Sequence, residues 1–331
     1  MTTRRQILLG SLVIGATLAS ARAVGQQSRR LPRIALVASF SVAAAMGPDP
    51  KDPYVRAFVH GLRDLGLVDG RNIIVDRHSI EGRVDRAPAL MQEIVQNGVD
   101  VIVTVGGPAV WAAHRATGQI AIVGLIDDVL DMGLVDSLAR PGHNLTGVGE
   151  SDPMLHTKRL QILKEAAPSI SRVAIICYRQ GPNDRGHWRR QLDAAARAMK
   201  LDVLWVNVDA PEELQAAFTT IVLARVDAIY VTATHVNSEH ANVIAEFALK
   251  QRLPSFGFAE DGMLLGYWSD YMDVYRRAAT LVKKILDGAK PGDLPFEQPT
   301  KFELMINLKT AKALGLSIPR SMRLRASEVI E

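Results

Sequence analysis

The sequence predicts an α/β protein made of two doubly wound parallel-sheet lobes. Short β-branched runs alternate with longer helical patterns from residue 33 onward, and the same order begins again near residue 154. Parallel strands need connections of a dozen or more residues, most often helices, so this alternation predicts parallel pairing with right-handed crossovers. Apolar runs such as residues 101–103 and 121–123 are typical of strands that are covered on both faces.

The first series of elements runs from residue 33 to residue 126. Its first helix is predicted to be amphipathic, because Phe58, Leu62 and Leu65 fall on one face. The predicted strands are 33–39, 72–76, 99–105 and 120–126. The predicted helices are 54–65, 85–97 and 108–116. Together they provide one sheet with helices to cover it.

The second series runs from residue 154 to residue 251. One of its helices places Leu192, Ala195, Ala196 and Met199 at helical spacing. The predicted strands are 172–177, 203–208 and 228–231. The predicted helices are 154–166, 187–199, 212–224 and 240–251. This second unit predicts a second lobe that faces the first across a cleft.

Three segments are expected to be the hinge crossovers between the lobes, because they are rich in glycine, proline or asparagine. They lie at 144–149, 254–257 and 291–299. The expected boundaries are 32–144 plus 255–294 for the first lobe and 145–254 plus 295–331 for the second.

A ligand is expected at the carboxyl ends of the strands, where open parallel sheets bind their ligands. The cleft would then be lined by the loops that follow Ser39, Val105, Ile126, Cys177 and Val231.

Residues 1–23 have the three parts of a bacterial export signal. Arg4 and Arg5 precede an apolar run from residue 7 to residue 21, which is shorter than the roughly 20 residues of a membrane span. The arginine pair resembles a twin-arginine signal but also occurs in ordinary secretory signals, so both export routes remain open. Cleavage is expected after Ala21 or Ala23, and the mature protein is expected in the periplasm.

The bulk composition argues against nucleic acid as a partner. Arg4, Arg5 and Arg22 lie in the export signal and account for most of the formal net charge of +4. The single cysteine, Cys177, excludes an internal disulfide and is expected to be buried, because it ends an apolar strand.

Four stretches of the chain resemble a family of exported solute-binding proteins of ABC transporters, in the branch with tryptophan- and tyrosine-binding members. They are residues 58–66, 139–147, 158–166 and 298–316. The resemblance implies a type I periplasmic-binding-protein fold that closes around a small solute, an amino acid or a related carboxylate. It also implies docking onto the permease and ATPase subunits of an ABC transporter. The protein is expected to be a monomer without a cofactor.

Two positions in the first lobe are candidate anchors for such a solute. Gly106 and Gly107 follow a strand and open a helix, where free backbone N–H groups can hold a carboxylate, although a tight turn without ligand contact is an equal alternative. Asp128 matches the family aspartate and can bind an amine, or it can cap the segment that enters 132–138.

The cleft loops of the second lobe depart from the usual family pattern, which suggests the same scaffold with an altered specificity. Tyr178 and Trp268 can stack on a flat ligand or pack against a neighbouring loop. The full set of candidate ligand-binding residues is Ser39, Gly106, Gly107, Asp128, Tyr178, Thr234, His235, Asp261 and Trp268.

The sequence favours a binding protein over an enzyme, because the nucleophile-elbow, zinc-protease, P-loop and dinucleotide motifs are missing. No catalytic residue is assigned. No metal is expected either, since His235, Glu239 and His240 are best explained as polar residues at a helix start. Two alternatives stay open: a sensory protein that presents its ligand to a membrane receptor, and an enzyme on the same fold.

Overall fold

A computed structural model describes residues 30–331 except 40, 42, 128, 150–153 and 180–185. Residues 32–331 form one compact unit. The expected export signal at 1–23 and the candidate residue Asp128 lie outside the described residues.

Twelve strands are present in the described chain. They are β1 (Arg33–Ala38), β2 (Ile74–Ser79), β3 (Val101–Val105), β4 (Ala121–Leu125), β5 (Leu145–Val148), β6 (Arg172–Cys177), β7 (Asp202–Asn207), β8 (Ala228–Val231), β9 (Ser255–Phe256), β10 (Leu265–Ser269), β11 (Phe302–Asn307) and β12 (Glu328–Ile330).

Eleven α-helices accompany these strands in the same part of the chain. They are α1 (Pro53–Asp64), α2 (Ala87–Gln96), α3 (Gly107–Ala116), α4 (Met154–Ala166), α5 (His187–Ala198), α6 (Leu214–Ala224), α7 (His235–Glu239), α8 (Ala241–Lys250), α9 (Tyr271–Leu286), α10 (Leu308–Leu314) and α11 (Arg320–Arg325).

The first lobe is built on a parallel sheet in the order β2-β1-β3-β4-β5. Helices α1 and α9 pack on one face around Phe58 and Ala278, and helices α2 and α3 cover the other around Met91 and Val110. Both faces are therefore buried, which explains the uninterrupted apolar runs of β1, β3 and β4.

The second lobe is built on a sheet in the order β12-β11-β10-β9-β8-β6-β7. Five strands are parallel, and β11 pairs antiparallel with β10. Helices α4 and α5 pack on one face around Leu163 and Leu192, while α6 and α8 pack on the other around Phe218 and Ile244. The predicted α/β fold with two doubly wound lobes is confirmed.

The division of the strands between the two sheets differs from the division that the expected lobe boundaries imply. Strand β5 completes the first sheet, although residues after 144 were assigned to the second lobe. Strands β9 and β10 belong to the second sheet, although residues 255–294 were assigned to the first. The expected junction at 254–257 is wrong, because β9 is paired there between β8 and β10.

The chain passes between the sheets at three places. The first passage follows β5, the second lies at Asp270 between β10 and α9, and the third leads from Glu297 into β11. The second and third passages are joined by a hydrogen bond of 3.0 Å from the Asp270 N–H to the Lys301 carbonyl. The Gly149 N–H donates to the Glu297 carbonyl at 3.1 Å and joins the first passage to the third.

Helix α9 is fastened to the third passage by an ion pair. The Arg277 guanidinium lies 2.7 Å from the Glu297 carboxylate and also donates to the Gln298 carbonyl at 2.7 Å. Both charged side chains are about three-quarters buried, so the pair is shielded from solvent more than a surface ion pair. This contact fixes where the chain leaves the first lobe.

Candidate functional site

Ser39 follows β1 at the carboxyl edge of the first sheet, as the sequence predicts. Its hydroxyl donates to the carbonyl of Val105 at the end of β3, and the residue is 4% exposed. The described contact is thus a link between two neighbouring strand ends.

Gly106 and Gly107 join β3 to α3 in a tight turn. Gly106 has φ +84°, a conformation that favours glycine, and its N–H donates to the Leu125 carbonyl at 2.9 Å. A Cβ on Gly107 would lie 3.3 Å from Cε of Met132. The Gly106 N–H is therefore used inside the lobe, which favours the tight-turn alternative at that position.

Asp131 reaches from the first lobe to the second. It lies in the loop after β4 and is 5% exposed, and its carboxylate accepts a hydrogen bond from the Trp188 N–H at 3.3 Å. Trp188 is the second residue of α5, so the carboxylate lies at the positive end of that helix. This hydrogen bond joins the first lobe to the second.

An aromatic cluster lies behind that contact in the second lobe. The Trp188 ring is 4.5 Å from the His156 ring, 5.3 Å from Trp205 and 6.4 Å from Tyr178, measured between centroids. Tyr178, which was predicted to face the cleft, follows β6 and is partly exposed. Its ring lies beside the cluster.

His156 is held at the amino end of α4 by Tyr230. Its Nδ1 lies 2.6 Å from the Tyr230 hydroxyl, which is fully buried on β8. Dense packing desolvates the imidazole and lowers the pKa of His156 well below its usual value, and the Arg159 charge lowers it further. The ring is therefore neutral at physiological pH.

Trp268 already has partners on three sides. Its indole N–H donates to the Gly257 carbonyl at 3.1 Å, the Arg159 guanidinium lies 4.3 Å over the ring, and Phe258 stacks at 5.6 Å. The ring remains partly exposed. The structure thus places Trp268 in a packed arrangement at the end of β10.

Two further candidate residues make no ring contact with the aromatic cluster among the described residues: Thr234 and Asp261. Thr234 caps α7, since its hydroxyl accepts from the Asn237 N–H at 3.1 Å, and His235 is the first residue of that helix. Asp261 is exposed in the turn after β9, where desolvation raises the pKa of its carboxyl. The capping contact gives a structural reason for a threonine at position 234.

The comparison with protein families decides the identity of this two-lobed chain. A family model described as ABC transporter substrate binding protein matches residues 39–330. The chain belongs to this family. The resemblance inferred from the sequence is confirmed, and the family is one of substrate-binding proteins and not of enzymes.

One curated relative of this substrate-binding protein is a tyrosine-binding protein from Clostridioides difficile (strain R20291). It is 25% identical over 273 residues, which cover 80% of this chain and 77% of the relative.

Solved structures share the fold. A conserved domain protein from Vibrio cholerae is 23% identical with a TM-score of 0.80, and an ABC domain in complex with L-Trp from Streptococcus pneumoniae is 24% identical with a TM-score of 0.80. A ligand-free, open substrate-binding protein from Clostridium difficile is 21% identical with a TM-score of 0.67. Each comparison covers 91% of this substrate-binding protein and at least 99% of the other chain.

Three residues at the contact between the lobes of this substrate-binding protein were not predicted as site residues. Asp131 was not among the predicted ligand-binding residues, and His156 and Trp188 were placed only within the predicted helices 154–166 and 187–199. The available signal was chain position, because Trp188 falls in the first turn of the helix that comes after the predicted cleft loop following Cys177.

Within the described ranges, no group of three or more His, Cys, Asp or Glu side chains is arranged to hold a metal ion. Over that same part of the chain, no helix combines the length and the apolar character needed to cross a membrane.

Proposed function

We propose that this substrate-binding protein captures an aromatic amino acid, or a related carboxylate, between its lobes. The observation that carries the proposal is the partly exposed ring of Tyr178, which packs beside the buried Trp188 next to the contact between the lobes. Aromatic side chains provide large apolar area with defined ring geometry for a flat solute. The relatives that bind tyrosine and L-Trp support the same class of ligand.

Capture would proceed by closure of the lobes. A solute that contacts both lobes binds the closed form more tightly than the open form, so its binding free energy shifts the equilibrium towards closure. The Asp131 contact with the α5 terminus adds to the closed form alone, since its partners come from different lobes. The permease, driven by its ATPase partner, would then recognise the closed and loaded protein.

The protein would act outside the cytoplasmic membrane as a freely diffusing monomer. The charged start, short apolar run and small residues at Ala19, Ala21 and Ala23 are the reason for this location. Export and removal of the signal can be checked by the amino-terminal sequence of protein isolated from the periplasm.

A thermal-shift screen of the mature protein tests the ligand class. We expect L-tyrosine, L-tryptophan or a related aromatic acid to raise the melting temperature in proportion to the logarithm of its concentration. A set of small carboxylates without a ring is the matched control. A response to the ring-free acids alone would contradict the aromatic assignment, and turnover of a bound solute by the purified protein would contradict a purely binding role.

A further inference from the structure

His156 makes one polar contact within the described part of the molecule. Its Nδ1 is paired with the Tyr230 hydroxyl at 2.6 Å, and its ring lies 4.5 Å from the Trp188 ring at an angle of 31°. These two contacts fix both the position and the plane of the imidazole. Nε2 has no hydrogen-bond partner among the described residues, and the side chain is partly exposed.

The protonation of the ring follows from its surroundings. The site favours the neutral form, in which one ring nitrogen carries a hydrogen and the other accepts one. A buried phenol is protonated at neutral pH, so the Tyr230 hydroxyl can donate to Nδ1. In that tautomer Nε2–H is a fixed hydrogen-bond donor.

Trp188, whose ring lies 4.5 Å from the His156 ring, carries a second donor without a partner among the described residues. The residue is 1% exposed, and its indole Nε1–H has no hydrogen-bond partner in the described chain. A buried donor without an acceptor costs roughly 1–3 kcal/mol, so such a group calls for a partner. Both donors belong to the tilted ring pair of His156 and Trp188, and the Trp188 backbone contacts Asp131 of the first lobe.

We propose that His156 is a ligand-contacting residue that determines specificity, and that its Nε2–H donates to an acceptor oxygen of the captured aromatic solute. Tyr230 is then a positioning residue, because it acts by fixing the tautomer and the plane of the imidazole. The oxygen belongs to the carboxylate or to a ring hydroxyl of the solute. This assignment rests on the proposed function.

Two substitutions of His156 separate the two nitrogen positions. His156→Asn places an amide near the Nδ1 position, keeps a partner for Tyr230 and removes the donor at Nε2. His156→Gln reaches the Nε2 position and can restore the donor. By titration calorimetry with L-tyrosine, we expect Kd to rise about ten-fold for His156→Asn and to stay within about three-fold of wild type for His156→Gln.

His114→Gln is the matched control, since His114 is also partly buried with a pKa lowered by desolvation, but lies at the end of α3 in the first lobe. It should leave Kd unchanged. Folding of each variant is checked by circular dichroism and melting temperature. Equal Kd values for wild type and a folded His156→Asn would overturn the assignment of His156 and leave the proposed function standing.

Two further probes identify the oxygen. L-phenylalanine lacks the phenol and tyramine lacks the carboxylate, so the ten-fold penalty of His156→Asn should disappear with one of them. A penalty of equal size with all three probes would contradict the hydrogen bond. If the wild type binds none of the three, the proposed ligand class fails, and the role of His156 fails with it.

The tautomer is a readout that needs no ligand. Nitrogen-15 NMR of the histidine-labelled protein should show a neutral imidazole protonated at Nε2, and Tyr230→Phe should allow the other tautomer to appear. A spectrum that shows the hydrogen on Nδ1 in the wild type would overturn the proposal.

Discussion

The neutral state of His156 makes the stability of the protein depend on pH. The pKa of this imidazole is lowered in the folded chain, so as pH falls below about 6.5 the unfolded chain binds a proton before the folded one. The stability associated with the neutral His156 is therefore fully present above about pH 6.5, and it is lost as the pH falls from there towards the lowered pKa of the folded chain.

We expect the free energy of unfolding to fall by up to about 1.4 kcal/mol per pH unit through His156 in that window. Urea titrations at pH 7.5, 6.5 and 5.5 should show a shallower pH dependence for His156→Asn than for wild type. His114→Gln controls for the other histidine whose pKa desolvation lowers. Identical slopes for wild type and His156→Asn would contradict the expected effect.

The chemistry at single cleft positions could be predicted only as far as the residue type. Tyr178 was recognised as a cleft aromatic because it follows a predicted strand, and Trp268 because it falls in a stretch that departs from the usual family pattern. Their partners were out of reach, since Arg159 approaches Trp268 from a helix far away in the chain. Such contacts depend on how α4 packs against β10, and local pattern carries no information about that distance.

At the scale of single elements, the close approach of β4 to β5 requires a glycine at position 147. A Cβ on Gly147 would lie 1.9 Å from the Gly124 carbonyl oxygen and 2.8 Å from the Phe296 ring. Backbone and a buried ring cannot move aside cheaply, so Gly147→Ala must push the edge strand outward.

We expect Gly147→Ala to lower the free energy of unfolding by about 3 kcal/mol, measured by urea denaturation. Gly118→Ala is the control, because a Cβ there meets nothing within 4 Å, and it should change stability by less than about 0.5 kcal/mol. Equal stabilities of the two variants would mean that β5 adapts to the added methyl group.

Strands with a clear apolar run could be predicted from the sequence, and the two-residue strand β9 could not. Strands β1, β3, β4 and β6 lie within two residues of their predicted bounds, because each is an apolar run of five or six residues. Strand β9 has two residues between Pro254 and Gly257, and its neighbours give it the composition of a loop. Only pairing with β8 and β10 makes it a strand.

For the whole molecule, the bond from Trp188 to Asp131 is expected to favour closure. It is a charge-assisted hydrogen bond at a helix terminus, buried on both sides. We expect Asp131→Ala to raise the Kd for the solute identified by thermal shift about ten-fold, measured by titration calorimetry.

The control for this substitution is Asp136→Ala. Asp136 lies in the same loop, but its side chain is 69% exposed and pairs with His143 inside the first lobe. Small-angle scattering should show a larger radius of gyration for Asp131→Ala than for Asp136→Ala at the same sub-saturating solute concentration. If both variants scatter alike and bind alike, the contact does not bias closure.

The hydrogen bonds that tie the three passages together have a mechanical consequence. Asp270 is bonded to the third passage from one side and Gly149 from the other, so no segment can bend without moving its neighbour. This coupling favours movement of the three passages as one hinge over independent movement of each passage. A hinge whose segments are coupled has fewer conformations to lose when a solute binds, so the entropy cost of ordering the lobes offsets less of the contact free energy.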